Sequence, residues 1–290
     1  MSLEPIGKMM HAARERQYAV GYFESWNLDS LQGVIDAAEQ TRSPIIIGFN
    51  GEFLSERANA TLEDLLLYAK LGGAAAERAR VPCGLIFNEC SRDAWLEQAI
   101  ISGFNLIMPA ATRAPLEDYQ RRVKRLAIMA HARAIAIEAQ VGELPSVEGP
   151  GIPSDPGVAA KFVVATGVDL LCVSVGNEEI RLNGRVPLDL PRLEAIHKSV
   201  DVPLVLHGGS GIEDESLKQA IRLGVKKINF GTYMKQIYLR ALRGALASDE
   251  LNPHALLGGG RETDILVVGR KSSRDAVLER IELLGSCGKA

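Results

Sequence analysis

The chain has 290 residues, of which 47% are hydrophobic and 24% charged, and its formal net charge is −3. This length suits two ordinary domains or one α/β barrel, and the charge disfavours nucleic acid or an anionic membrane as a partner. No apolar run reaches the roughly 18 residues that a bilayer span needs, and the N-terminus lacks the basic and apolar blocks of a signal peptide.

The four cysteines are widely scattered and do not form a zinc-binding pattern. Cys83 and Cys172 lie in apolar runs, where cysteine usually serves as a small core residue. We therefore expect reduced thiols and a cytoplasmic protein.

Short apolar runs alternate with longer amphipathic stretches along the whole chain. The runs predicted to be strands are residues 19–23, 44–49, 83–87, 105–108, 134–139, 169–175, 202–206 and 227–230. Helical spacing of apolar residues covers 28–40, 61–71, 93–101, 116–133, 156–166, 190–200 and 215–223. Gly103, Gly167 and Gly224 stand just past helices, where C-capping glycines are expected.

Eight βα units in a chain of this length predict an α/β protein with a single (β/α)8 TIM barrel. A doubly wound open sheet is the alternative. We expect one domain over residues 1–290, in which the segment after Leu239 forms a helical extension interrupted by glycines at 258–260.

Polar residues follow nearly every predicted strand. In α/β barrels the catalytic groups lie at the C-terminal ends of the strands and on the loops that follow. The residues at those ends are Glu24, Asn50, Asn88, Glu89, Pro109, Glu138, Gln140, 176–179, His207 and 229–232. We expect them to ring the mouth of the barrel.

The run from His207 to Gly211 is the most specific of these ends. Gly208, Gly209 and Ser210 follow the seventh predicted strand and precede a helix, so bare N–H groups and a helix N-terminus come together. This pattern predicts a phosphate cradle, completed by Asn229 and Thr232; the alternative is a tight turn that merely requires glycine. His207 is placed to hold a metal or a proton, although a core histidine bonded to backbone fits as well.

Several segments carry a resemblance to one enzyme family. They are residues 18–21, 130–133, 137–139, 166–169, 206–211, 228–229, Thr232 and 285–290. Together they resemble the class II (metal-dependent) ketose-bisphosphate aldolases, which include the fructose- and tagatose-bisphosphate enzymes, over almost the whole chain. The resemblance implies a barrel, a phosphate site, a homodimer or homotetramer, and a role in carbohydrate metabolism. It also implies reversible cleavage of a ketose bisphosphate to dihydroxyacetone phosphate and an aldehyde.

The chain departs from this family at the residues that hold the metal. Where the family has Asp-His after strand three, this chain has Asn88 and Glu89; where it has His-Gly after strand six, this chain has Glu179 and Ile180. His207 matches the remaining metal histidine.

Since both missing histidines are glutamates, the resemblance implies a divalent metal held by His207, Glu89 and Glu179, with Glu138 as a further carboxylate. Such oxygen-rich ligation favours Mn²⁺, Mg²⁺ or Fe²⁺ over Zn²⁺. Alternatively, no metal is bound and the glutamates are solvated or pair with Arg113 or Arg181.

The remaining roles follow from the same resemblance. Asn88 would orient a substrate hydroxyl, Glu148 matches a mobile glutamate that transfers a proton, and Glu138 joins them in catalysis. Glu24, Asn50 and Gly176 are assigned to binding phosphate or substrate.

Three functions remain open at this point. The first is an aldolase-type lyase acting on a small phosphorylated sugar. The second is an isomerase or epimerase of a sugar phosphate, with Glu89 or Glu179 as base. The third is a phosphometabolite-binding protein without catalytic activity, because two metal histidines and the catalytic aspartate of the family are absent.

Overall fold

The computed structural model describes residues 3–56, 61, 63–111, 114–145, 149–178, 180–181, 183–247 and 249–290. Eight parallel strands close into a barrel in chain order, which confirms the predicted (β/α)8 TIM barrel and excludes the open sheet. The strands are β1 (Val20–Glu24), β2 (Ile45–Asn50), β3 (Cys83–Cys90), β4 (Leu106–Pro109), β5 (Ala136–Val141), β6 (Leu170–Val173), β7 (Leu204–Leu206) and β8 (Val225–Phe230).

Helices surround the barrel and extend the chain beyond it. They are α1 (Ile6–Glu15), α2 (Leu28–Thr41), α3 (Gly51–Ser55), α4 (Leu65–Arg78), α5 (Asp93–Ser102), α6 (Leu116–His131), α7 (Pro156–Thr166), α8 (Leu190–Ser199), α9 (Asp214–Arg222), α10 (Thr232–Leu246), α11 (Pro253–Leu256) and α12 (Ile265–Leu283). Among the described helices, none is both long and apolar enough to cross a bilayer.

The first helix closes the N-terminal end of the barrel. Its buried residues are Ile6, Met9, Met10 and Ala13, whose spacing of three and four puts them on one face. They belong to one apolar cluster with the inward-facing side chains of the strands, such as Val20, Ile46, Ile86, Leu106 and Val205. A second and larger apolar cluster fills the space between the strands and the outer helices.

Some predicted boundaries were wrong, for local reasons. β5 begins at Ala136 rather than at 134, because Ala134 has a left-handed φ of 56° that breaks the extended chain. α4 begins at Leu65 rather than at 61, since the Asp64 side chain accepts a hydrogen bond from the Leu66 N–H and caps the helix. Helix α1 was not predicted. Gly103 and Gly167 are left-handed C-caps, as predicted.

Candidate active site

The end of β3 turns Glu89 into the mouth of the barrel. The pairing of β3 with β4 shifts register between Phe87 and Cys90, and Glu89 has a left-handed φ of 50°. Bulges of this kind re-aim a side chain at the rim of a barrel. Asn50, at the end of β2, donates a hydrogen bond from Nδ2 to Glu89 Oε2 at 2.9 Å and fixes the carboxylate.

His207 lies at the centre of a buried chain of charged groups. Its Nδ1 is 2.6 Å from Glu89 Oε1, and its Nε2 is 2.8 Å from Glu138 Oε1. The other Glu138 oxygen is 2.8 Å from Lys227 Nζ, and both side chains are fully buried. Lys227 also donates a hydrogen bond to Asn229 Oδ1 at 2.6 Å. The chain therefore runs from the mouth into the barrel interior, with opposite charges adjacent at each step.

Neighbouring charges set the protonation of this chain. Burial raises the pKa of Glu138, but the Lys227 ammonium and the His207 ring outweigh it and hold that pKa below its usual value. Burial likewise raises the pKa of Glu89, and His207 reverses the effect, so this pKa is also lowered. Burial opposes protonation of His207, yet Cys172 and the carboxylates raise its pKa well above the usual value. This direction favours a protonated His207 ring, and each ring nitrogen lies within hydrogen-bond distance of a carboxylate.

The glycine loop is tied to the neighbouring elements. Asn177 donates from Nδ2 to the His207 carbonyl at 3.1 Å, and Gly208 has a left-handed φ of 66°. The Tyr233 N–H, in the first turn of α10, donates to Ser210 Oγ at 3.3 Å. Ser210 thus takes one N–H of this first turn, and the N-cap residue Gly231 has no side chain to cap the others. The loop and the first turn of α10 thus present backbone N–H groups to the same space, which suits a phosphate.

A cavity of about 330 Å³ opens above these groups. Its lining includes most of the predicted site residues: Glu24, Asn50, Asn88, Glu89, His207, Gly208, Ser210, Asn229 and Thr232. Three buried polar atoms on the lining, Tyr22 Oη, Asn88 Oδ1 and Asn229 Nδ2, have no hydrogen-bond partner among the described residues. Since buried polar groups are rarely left unpaired, these atoms are available to a ligand.

One side of the cavity carries a separate ion pair. Lys235 Nζ is 2.5 Å from Glu24 Oε1 and 4.0 Å from the centre of the Phe53 ring. Burial raises the pKa of Glu24, and Lys235 only partly offsets this. The pair therefore places one charge of each sign on the cavity lining.

Other predicted site residues are placed differently. Glu138 is fully buried behind His207 and does not line the cavity, which differs from the expected direct role in catalysis. Gly209 and Gly176 are also absent from the lining: Gly209 packs against Ile228, and Gly176 lies near Pro187. Glu148, Glu179 and Arg113 lie outside the described residues. Arg181 forms its ion pair with Glu178.

Lys227, Lys235 and Tyr22 are functional candidates that were not predicted from the sequence. Lys227 carried a signal, because it alternates with Asn229 on one face of a short apolar strand. A charged residue at an inward position of a barrel strand requires a buried partner of opposite charge. Lys235 and Tyr22 carried no comparable signal.

The residues at the mouth fit a divalent metal. His207 Nδ1 and Glu89 Oε1 are adjacent atoms on the cavity side that can bind a metal once Nδ1 has lost its proton, and Glu138 lies at the opposite ring nitrogen, as carboxylates commonly do for metal-bound histidines. A second group of ligand atoms, from Glu138, Cys172 and His207, lies within 4.8 Å of one another. The Lys227 ammonium beside Glu138 repels a cation at that second position. The cavity side of His207 is therefore the better site.

Known proteins are similar to this chain in sequence and in fold. The family model described as fructose-bisphosphate aldolase class-II matches residues 4–289. The chain is 31% identical to the fructose-bisphosphate aldolase of Geobacillus stearothermophilus, covering 100% of this chain and 99% of that protein.

Two crystal structures are also similar. The YdjI aldolase from Escherichia coli K12 superposes with a TM-score of 0.85 at 31% identity, covering 99% of each chain. A putative fructose-1,6-bisphosphate aldolase from Coccidioides immitis has the same TM-score at 25% identity, covering 99% of this chain and 98% of that one. With the barrel, the glycine loop and the His207 cluster in place, these similarities assign the chain to the class-II fructose-bisphosphate aldolase family.

Proposed function

We propose that this protein is a metal-dependent aldolase-type lyase that reversibly cleaves a phosphorylated ketose to dihydroxyacetone phosphate and an aldehyde. One observation carries the proposal: a single cavity combines the His207–Glu89 edge, the glycine loop and three unpartnered polar atoms. Membership of a metal-dependent aldolase family supports it. The cytoplasmic location, the homodimer or homotetramer and the single domain stay predictions.

Glu89 and His207 are the proposed metal-binding residues, with Glu179 as the expected third ligand. Two carboxylates and one imidazole favour Mn²⁺, Mg²⁺ or Fe²⁺ over Zn²⁺. A bound divalent ion would polarise the ketone and stabilise the enediolate. Glu138 is a positioning residue in this account, because it holds His207 Nε2 and does not reach the cavity.

The glycine loop is the proposed phosphate-binding element. Gly208, Ser210 and Thr232 line the cavity, and their backbone N–H groups are the proposed phosphate donors. The Gly211 N–H is taken by the Gly208 carbonyl at 3.0 Å, and the Tyr233 N–H by Ser210 Oγ at 3.3 Å. Barrel enzymes frequently bind phosphate on the loops after the seventh and eighth strands. The rest of the substrate would then occupy the space bounded by Asn88, Tyr22 and the Glu24–Lys235 pair.

Proton transfer needs a group other than Asn88. Its amide can hydrogen-bond a substrate hydroxyl through Oδ1 but cannot accept the proton that leaves it. Glu148 is the proposed proton carrier from the loop after β5. Asn88 therefore orients the hydroxyl, and the chemistry of C–C cleavage depends on a second base.

The direct experiment is a cleavage assay on the purified protein with Mn²⁺ or Mg²⁺ and a panel of ketose phosphates. Formation of dihydroxyacetone phosphate is followed by coupled reduction. His207→Gln is expected to abolish cleavage, whereas His131→Gln, which alters an exposed histidine paired with Asp169, is expected to retain it. Absence of cleavage with every metal, together with no metal by elemental analysis, contradicts the proposal.

Isomerisation or epimerisation is the second candidate, and Asn88 is the observation that favours it. The chain keeps a carboxylate at the mouth, Glu89, but has an amide where the family has the catalytic aspartate. Proton transfer next to a carbonyl needs only one such base. Solvent deuterium entering a sugar phosphate without cleavage would establish this reaction, and cleavage products would exclude it as the sole activity.

A further inference from the structure

A second polar cavity, here called the basal cavity, lies at the N-terminal end of the barrel. Its volume is about 80 Å³, and its charged or titratable lining residues are Arg14, His197, Asp201, Arg222 and Lys226. They come from the ends of α1, α8 and α9 and the start of β8. The glycine loop lies at the opposite end of the barrel, so the basal cavity is independent of the proposed active site.

Lys226 is the most buried of these cations. Only 3% of the residue is exposed, although it carries an ammonium group. Its Nζ donates to the Ile221 carbonyl at 2.8 Å, which uses one of its three N–H groups. A lysine is almost never this buried without a counter-charge.

The backbone at Gly224 makes room for the His197 ring. Gly224 has a φ of 91°, and a Cβ built there would lie 2.2 Å from His197 Nδ1. The ring packs where a side chain at 224 would otherwise stand, directly ahead of β8. The fold therefore holds an imidazole beside the buried lysine.

The basal cavity has an excess of positive charge, with Arg14, Arg222 and Lys226 against the one carboxylate of Asp201. No ion pair joins Arg14, His197, Arg222 or Lys226 to a carboxylate within the part of the chain that the structure describes. Arg14 donates to the backbone carbonyl of Asp201 at 3.4 Å, not to its carboxylate. Burial, followed by the charge of Arg14, lowers the pKa of Lys226 to about 8, and the same causes, together with Lys226, lower the pKa of His197.

We propose that the basal cavity binds a small tetrahedral oxyanion of the phosphate or sulfate class. Its volume exceeds the roughly 10–15 Å³ that a single water molecule requires, and three cationic side chains, Arg14, Arg222 and Lys226, line it together with the His197 ring and one carboxylate, Asp201. Charge-assisted N–H···O bonds to such an anion would match the two unused donors of Lys226 and the guanidinium groups of Arg14 and Arg222.

Isothermal titration with inorganic phosphate at constant ionic strength tests the proposal. Arg222→Gln is expected to weaken phosphate binding at one site by about tenfold or more, because it removes a charge-assisted donor from an exposed position. Lys218→Gln is the matched control: it removes the same charge from the same helix at an exposed residue that pairs with Glu215. This control is expected to bind as the wild type does.

Two further measurements separate the basal cavity from the glycine loop. Lys226→Met keeps the aliphatic stem and is expected to lose the same phosphate site, with circular dichroism confirming that the variant folds. Crystals soaked in selenate are expected to show an anomalous selenium peak between Lys226 and Arg222. Wild-type phosphate affinity in both Arg222→Gln and Lys226→Met, or a selenium peak only at the glycine loop, overturns the proposal.

Discussion

The two ends of the barrel differ in whether their buried charged groups form ion pairs. At the mouth, Glu138 lies between Lys227 and His207, so each charged group has a counter-charge within 2.8 Å. At the basal cavity, the buried Lys226 and the half-buried His197 lie beside Arg14, and no ion pair joins them to a carboxylate in the described residues. The difference indicates that the mouth is preorganised by its own side chains, whereas the basal cavity is complete only with an anion.

Strand geometry produces this contrast from two adjacent residues. Lys226 and Lys227 are neighbours in β8, and alternate residues of a strand point to opposite faces. Lys227 therefore reaches Glu138, whereas Lys226 reaches the carbonyl of Ile221 at the end of α9. Identical side chains one position apart consequently have different energetic roles.

Removal of the Lys227 ammonium should have the largest effect on stability. Lys227→Met leaves the Glu138 carboxylate buried without one of its counter-charges, and we expect it to lower the free energy of unfolding by about 3–5 kcal/mol. Lys198→Met is the control, because its pair with Glu194 on α8 is exposed and worth about 1 kcal/mol or less. Urea denaturation measures both. Equal losses would show that the inner pair is not special.

The role of Glu138 as a positioning residue predicts a loss of metal affinity. Glu138→Gln is expected to weaken Mn²⁺ binding by about 10–100-fold, because the amide no longer holds His207 in the orientation that presents Nδ1. Glu143→Gln, at an exposed residue just beyond β5, should leave the affinity unchanged. Titration followed by electron paramagnetic resonance gives both constants, and an unchanged value for Glu138→Gln would remove the carboxylate from the metal site.

Gly224 tests how firmly His197 is seated in the basal cavity. Gly224→Ala combines a left-handed φ with a Cβ against the His197 ring, whereas Gly103→Ala has a comparable φ of 112° and no atom within 4 Å of the new Cβ. We expect Gly224→Ala to be more destabilising by about 1–3 kcal/mol, the usual effect of overpacking. Thermal unfolding of both variants measures the difference, and equal destabilisation would mean that His197 moves freely.

The buried Lys226 also predicts a pH dependence of stability. The pKa of Lys226 is about 8 in the folded protein against 10.5 for the ordinary group, so the unfolded chain binds more protons between these values. The free energy of unfolding should therefore rise with pH over this window because of Lys226. Below the window the lysine is charged in both the folded and the unfolded state, so this gain in stability is absent. Lys226→Met should rise less steeply than the wild type in thermal melts across the window. Parallel curves would contradict the account.

The fold could be predicted because its signals are local. The apolar runs recur eight times with amphipathic stretches between them, and glycine ends the helix in two of the units, at α5 and α7. The signal for the glycine loop was also local, since the residues from His207 to Gly211 are contiguous. Position at the end of a barrel strand was enough to place Asn50, Asn88 and Glu89 at the mouth.

The pairing of the charges could not be predicted from local patterns. The contact between Glu138 and Lys227 joins β5 to β8 across the barrel interior, so it depends on the register of the whole sheet. The direction of Glu89 depends on a bulge in β3 that has no glycine to mark it. The basal cavity needs α1, which was not predicted, and a close approach of His197 to Gly224 that only the assembled barrel creates.

The central claim is that the cavity side of His207 is a metal site. The most direct test is a crystal structure of the protein soaked with Mn²⁺ and dihydroxyacetone phosphate, with anomalous data collected for manganese. We predict one ion bonded to both His207 Nδ1 and a Glu89 oxygen, with the phosphate group on the glycine loop. An ion on the Glu138–Cys172 side, or no ion while His207 keeps both carboxylate contacts, would contradict the account.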